Sequence, residues 1–377
     1  MYIERAITGK ILEVQAYYPV TLITGPRQSG KSELCKHIFP DYKLVNLENL
    51  TQRAYASSDP EGFIKSLGDK AVIDEVQNVP ELLSVIQVAV DEDKKRRFIL
   101  TGSNNFKLSA SVTQSLAGRV AEFTLLPFSN QELDKKKLYE IDTDTLLFRG
   151  QYPGVIADHI TPLVFYTNYL STYIERDIRG VLKIQNLLKF ETFLKLLAAR
   201  TGSEFNASAI SKEVGLSSTT ISEWLGLLMA SYIVYPVKPF YSNINKRLTK
   251  MPKIYFYDTG LLAHLLGIEA EGQVSRLPYK GILFENMAIG EIIKSRTNQG
   301  LKPDINFYRE HSGKEVDIMK PSGDGWWLYE IKSSSTFNQD YLKNMVYVSS
   351  LIEDVKSMEV IYDGETIGDK LINIRDL

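Results

Sequence analysis

At 377 residues the chain is too long for one ordinary core, so two or three domains are expected. Apolar residues make up 44% and charged residues 24%, with no low-complexity tract, which argues against a disordered chain. A net charge of -2 excludes a blanket attraction to nucleic acid, so any DNA contact must come from local patches.

A single cysteine, Cys35, cannot form an internal disulfide, which fits a reducing, cytoplasmic setting. The opening MYIERAITGKILE is charged and amphipathic, without a signal-peptide core. No apolar run approaches the roughly 18 residues of a membrane span, so no membrane partner is expected. The four histidines and one cysteine lack any spacing suited to zinc.

In chain order, the first strong signal is VTLITGPRQSGKS at 20–32. An apolar strand runs into Gly25, Pro26, Arg27, Gln28, Ser29, Gly30, Lys31 and Ser32, and then into a helical stretch. That is the full P-loop pattern in its required strand–loop–helix context, and it calls for ATP with Mg2+. Gly30 lets backbone N–H groups wrap a phosphate, and the helix N-terminus adds partial positive charge. Lys31 has the length to reach the β- and γ-phosphates, and the Ser32 hydroxyl is a magnesium ligand.

KAVIDEVQ (70–77) is a short apolar strand ending in Asp74 and Glu75. Asp74 suits the magnesium shell and Glu75 the activation of water. RFILTGSNN (97–105) is a further strand, ending in Thr101, Ser103 and Asn104, polar groups placed to sense the γ-phosphate or hold the water. Strands are expected at 20–24, 43–47, 71–74, 97–101 and 120–125, separated by helices. This alternation predicts a parallel sheet with nucleotide at the strand C-termini. For the transition-state arginine the choice falls on Arg119, ahead of Arg176 and Arg179.

GPRQSGKS, VIDEVQ, LTGSN, SLAGR and LLPFSNQEL together resemble a large bacterial and archaeal family of AAA-type ATPases. YIERDI and KIYFYDTGLL extend the resemblance over nearly the whole chain. In that family an ATPase domain precedes a C-terminal region of unknown function. The resemblance implies an α/β chain that binds and hydrolyses ATP.

LLPFSNQEL is expected to open a helix through a capping box, Ser129 with Glu132. Residues 136–200 then read as a helical lid or connector, after an ATPase core at 1–135. From 206 the spacing matches a helix-turn-helix: Ser208 to Val214, a Gly-Leu-Ser turn, then a longer helix from Thr219. Ile210, Val214, Ile221, Leu225 and Leu228 form its expected buried face. YIVYPVKPFY and KIYFYDTG add a hairpin, giving a winged helix over 201–272. The hairpin loop NINKRLTKMPK carries Lys246, Arg247, Lys250 and Lys253, the candidate DNA-phosphate contacts. The second helix offers no arginine or lysine to read bases, so the partner stands open between DNA and another protein.

Residues 273–377 resemble a PD-(D/E)XK nuclease core, with helix, three strands and helix in that order. The match places Glu285 on the first helix, Asp317 on the second strand, and Glu330 with Lys332 on the third. The period of two puts Glu330 and Lys332 on one face. In an active member the carboxylates hold a metal and the lysine orients water. A buried ion cluster, Lys332 with Asp317 or Glu330, is the standing alternative. The expectation is thus a P-loop AAA-type parallel-sheet domain, a helical lid, a winged helix-turn-helix and a C-terminal α/β restriction-endonuclease-like domain. A homo-oligomer, with Arg119 acting within or across subunits, stays open.

Overall fold

The computed structural model describes residues 2–103, 115–173, 187–240, 251–310, 312–323 and 325–377. The chain divides into two compact units. Unit 1 holds residues 1–128, 230–232 and 296–301, and unit 2 the remainder.

Unit 1 is built on β1 (Val20–Thr24), β2 (Lys43–Asn46), β3 (Lys70–Asp74), β4 (Arg97–Gly102) and β5 (Val120–Thr124). All pair in parallel, in the order β2-β3-β4-β1-β5. The helices are α1 (Thr8–Gln15), α2 (Lys31–Ile38), α3 (Leu50–Ser58), α4 (Pro60–Ser66) and α5 (Leu82–Glu92). The two-residue period of the strands separates two cores. Val20, Leu22, Ala71, Ile73, Phe98 and Leu100 face Phe63, Leu83 and Ile86 of α4 and α5. Ile23, Val72 and Ile99 face Ile11 of α1 and Leu34 of α2. Helices on both faces are why these strands read as unbroken apolar runs. β1 lies between β4 and β5, out of sequence order, so a crevice opens beyond its C-terminal end.

Unit 2 opens with a single helical turn at Asn130–Glu132, shorter than the helix expected there. The Glu132 carboxylate accepts from the Ser129 N–H at 2.8 Å, as a capping box requires. Leu133 is then extended, and Asp134 caps the next helix instead. The helices that follow are α6 (Lys135–Glu140), α7 (Thr143–Arg149), α8 (Pro153–Ile156), α9 (Pro162–Tyr173) and α10 (Leu187–Ala199). Next come α11 (Ala207–Val214) and α12 (Ser218–Ala230), joined through Gly215 at φ 68°, with Asn206 capping α11. Ile210, Val214, Ile221, Leu225 and Leu228 are all buried, as the spacing requires.

One mixed sheet runs through the rest of the unit, in the order β12-β11-β10-β9-β8-β6-β7. Its strands are β6 (Val234–Pro239), β7 (Lys253–Phe256), β8 (Asn306–Arg309), β9 (Glu315–Ser322), β10 (Gly325–Lys332), β11 (Val355–Tyr362) and β12 (Leu371–Asn373). The helices α13 (Thr259–Leu265), α14 (Lys280–Asn298) and α15 (Lys343–Ser349) complete it. The expected hairpin forms as β6 with β7, and it lies at the edge of this sheet because β6 also pairs in parallel with β8 at Lys238↔Asn306 and Pro239↔Phe307. Of residues 136–377, all but 230–232 and 296–301 fall in unit 2. The helix–strand–strand–strand–helix order expected from 281 onward is found as α14, β8, β9, β10 and α15.

Candidate nucleotide site and a second acidic cluster

The loop between β1 and α2 is shaped by three positive φ angles. Gly25 stands at 143°, Gln28 at 59° and Gly30 at 93°. A side chain at Gly25 would lie 2.1 Å from the Leu125 carbonyl oxygen, so the loop passes where only glycine fits. Gly30 forms the left-handed N-cap of α2. Ser29 is fully buried, and its hydroxyl lacks a hydrogen-bond partner among the described residues. An unmatched buried donor inside a glycine-shaped cradle at a helix start is a fit for a phosphate.

The Lys31 ammonium donates to the carbonyls of Gly25 at 3.0 Å and Pro26 at 2.7 Å. Burial pulls its pKa down to about 8, against the opposing pull of the Glu75 and Asp74 carboxylates. Ser32 donates its hydroxyl to Asp74 at 2.7 Å, joining loop and β3 end across 42 residues. Thr101 also donates to Asp74, and the Asn46 amide lies 3.4 Å from it. Asp74 is thereby fixed by residues from β2 and β4 as well as the loop.

Glu75 follows at φ 58°, a left-handed turn that ends β3. Its carboxylate accepts from the Gln77 amide and from the Ser103 hydroxyl at 3.3 Å. The sequence singled out Thr101 and Ser103 as strand-end polar groups. Asn46, Gln77 and Arg5 went unread. Asn104, Arg176, Arg179, Lys246, Arg247 and Lys250 lie outside the described residues.

Arg119 is not brought to this site. It precedes β5, where its carbonyl accepts from the N–H of Val20 at the start of β1, at the N-terminal end of the strands and so opposite the loop. Its guanidinium makes a two-bond pair with Asp91, at 2.8 and 2.7 Å. Within one chain the Arg119 guanidinium is thus held by Asp91.

In unit 2 the nuclease-like residues do converge, but in a different chemical form. Between β8 and β9 the ladder slips, so that Asp317 and Ile318 together oppose Phe307. Such a bulge re-aims a side chain. The Asp317 carboxylate accepts from the Ile331 N–H at 2.8 Å, where the β9–β10 ladder stops. Lys332 lies 2.6 Å from Glu330 and 3.9 Å from Asp317. A second lysine, Lys253 of β7, pairs with Glu315 and stands 3.9 Å from Glu285. The Tyr255 hydroxyl donates to Glu285 at 2.6 Å. Lysines thus sit among the carboxylates, and no group of three or more metal-binding side chains is arranged for an ion among the described residues.

Burial, then the Asp317 charge, pushes the Glu285 and Glu330 carboxyls up to about 7. Asp317 is raised by burial, with Lys332 pulling the other way. Burial works against both ammoniums, yet the surrounding carboxylates hold Lys253 and Lys332 above the ordinary lysine value. One oxygen of Glu330, Oε2, is buried without a hydrogen-bond partner among the described residues. Elsewhere in unit 2 a cavity of about 1200 Å³ is lined by Asp144, Lys280, Asp363 and Arg375, among others, and by none of the predicted site residues.

Comparison with known proteins agrees with the loop geometry. Residues 17–134 match the family model described as AAA domain. The chain therefore carries an AAA-type P-loop domain. Residues 140–272 and 280–375 match two domains of unknown function (DUF8612 and DUF4143). Uncharacterised proteins of Mycobacterium tuberculosis and Haemophilus influenzae are similar over most of their length. They are 28% and 24% identical, covering 92% and 87% of this chain and 77% and 86% of theirs. Among solved structures, a Walker-type ATPase of Pyrococcus abyssi is 17% identical with a TM-score of 0.47, over 69% of this chain and 94% of that one. AMPPCP-bound DnaA from Aquifex aeolicus is 14% identical with a TM-score of 0.28, over 59% and 86%. No described helix is long and apolar enough to cross a membrane.

Proposed function

We propose that the chain is an ATP-hydrolysing switch in which nucleotide at the P-loop sets the state of unit 2. The backbone N–H groups of the loop from Gly25 to Ser32 bind the phosphates, and Lys31 meets their charge. Ser32 and Asp74, already 2.7 Å apart, would hold Mg2+, which neutralises phosphate charge when bound. Glu75, steadied by Gln77 and Ser103, orients and deprotonates the attacking water.

The observation that carries the switch is Tyr232. It stands at φ 57° between α12 and β6, and its buried hydroxyl donates at 2.7 Å to Thr24, the residue before Gly25. Residues 230–232 belong to unit 1, whereas α12 up to Met229 and the strand from Ile233 belong to unit 2. Movement of the loop is therefore passed along continuous chain into both elements. The test is tryptophan emission. Trp224, Trp326 and Trp327, the only three in the sequence, all lie in unit 2, so an ATP-induced change reports that unit. The partner moved by unit 2 is DNA, through the segment holding Lys246, Arg247 and Lys250, or another protein.

A second reading, metal-dependent phosphodiester cleavage, is favoured by the bulge at Asp317 and the unmatched Glu330 Oε2. On this reading Glu285, Asp317 and Glu330 would hold a divalent ion, which would supply charge stabilisation of the phosphate, and Lys332 would orient water. Mn2+-dependent nicking of plasmid DNA, lost in Glu330→Ala, is the expected result. Intact plasmid after long incubation with metal and ATP would rule the reading out.

A further inference from the structure

We infer that Arg5 is the positioning residue that holds the P-loop in its phosphate-binding shape, an inference that rests on the ATP reading above. Arg5 lies ahead of α1 and is only 4% exposed. One guanidinium nitrogen donates to the Ser29 carbonyl at 2.9 Å, and the other to the Leu126 carbonyl at 2.6 Å. Its plane lies over the Phe128 ring, 4.6 Å from the centroid, so the head group is fixed from a third side.

The consequence follows from peptide geometry. A trans peptide sets its C=O and N–H in opposite directions, and no peptide bond among the described residues is cis. Drawing the Ser29 carbonyl onto Arg5 therefore turns the Gly30 N–H away from Arg5 and into the loop. That N–H is among those the P-loop offers to phosphate. The second bond fixes the opposite wall, because Leu126 follows the residue whose carbonyl forbids a side chain at Gly25. One buried guanidinium thus ties together the two segments that shape the cradle. Arginine suits this task better than lysine, since its planar fork serves two carbonyls at once.

The test measures ATP and ADP affinity by calorimetry on the full chain, in wild type, Arg5→Lys and Arg5→Met. Arg5→Met is expected to lose about tenfold or more for both nucleotides, the scale of a charge-assisted hydrogen bond. Arg5→Lys, which keeps a cation but one bond at most, should fall between. In steady state the loss should appear in KM more than in kcat. A purely structural Arg5 would lower Tm while the folded protein bound ATP with wild-type affinity, and that result overturns the inference. If Arg5→Met does not fold, Arg5→Lys decides, with wild-type affinity counting against the role. Wild-type protein that fails to bind ATP would instead sink the nucleotide reading itself.

Discussion

Glu75→Gln is expected to lower ATP turnover by about 100-fold or more, the scale on which a positioned general base acts, with ATP affinity within about threefold of wild type. Glutamine has the same shape, and its amide oxygen can still accept from Gln77 and Ser103. The turn at φ 58° is a backbone feature that the substitution leaves alone. Phosphate binding rests on the loop and Lys31, not on this carboxylate. A kcat within threefold of wild type, measured by phosphate release, would remove Glu75 from the chemistry. A parallel loss of affinity would assign it to binding.

Lys253→Met should destabilise unit 2 by about 3 kcal/mol, the usual cost of removing one partner from a buried ion pair. Lys253 is 4% exposed at its side chain, and it pairs with Glu315 beside Glu285. Asp317, Glu330 and Glu285 are then left with Lys332, and Glu315 with Arg309 at 3.8 Å. The expected fall in Tm is roughly 6–12 °C for a unit of this size. The sign of the pH dependence is fixed by the shifts. Glu285 and Glu330 are raised to about 7 in the folded chain from 4.5, so the folded state binds protons that the unfolded state has released. Stability therefore declines as pH rises from about 4.5 through 7. Lys253 itself is raised, so its contribution is complete below the unfolded value of 10.5 and fades only as pH rises through its folded pKa. The Lys253→Met defect should accordingly be larger at pH 8 than at pH 5.5, where protonated carboxyls no longer need the cation. Equal defects at both pH values would contradict the cluster as described.

The parts of the site that were legible in the sequence are those made by neighbours along the chain. The P-loop is eight consecutive residues, and Asp74 and Glu75 end an apolar strand. The five strands of unit 1 fell close to their expected places because a sheet buried on both faces leaves continuous apolar runs. Arg5 could not be read, because its contact to Leu126 spans 121 residues and depends on the strand order. Lys253 was read as part of a basic loop, yet it enters β7 and meets Glu315 some 62 residues on. The hairpin pairing of β6 with β7 was legible as two apolar strands, whereas its addition to a larger sheet through β8 rests on a pairing some 68 residues away in the chain. Arg119 was chosen for its place in sequence, and its carbonyl accepts from the N–H of Val20 at the N-terminal end of the strands. Glu285, Asp317, Glu330 and Lys332 were grouped from the sequence, while the second lysine beside them, Lys253, was not.

Titration of ATP into the wild-type chain and into Lys31→Ala, with binding followed by heat and unit 2 by tryptophan emission, is the most direct test of a nucleotide-driven switch. ATP is expected to bind the wild type and change its emission, and Lys31→Ala is expected to show neither. Binding to Lys31→Ala with wild-type affinity, or wild-type binding with no change in emission, would contradict it.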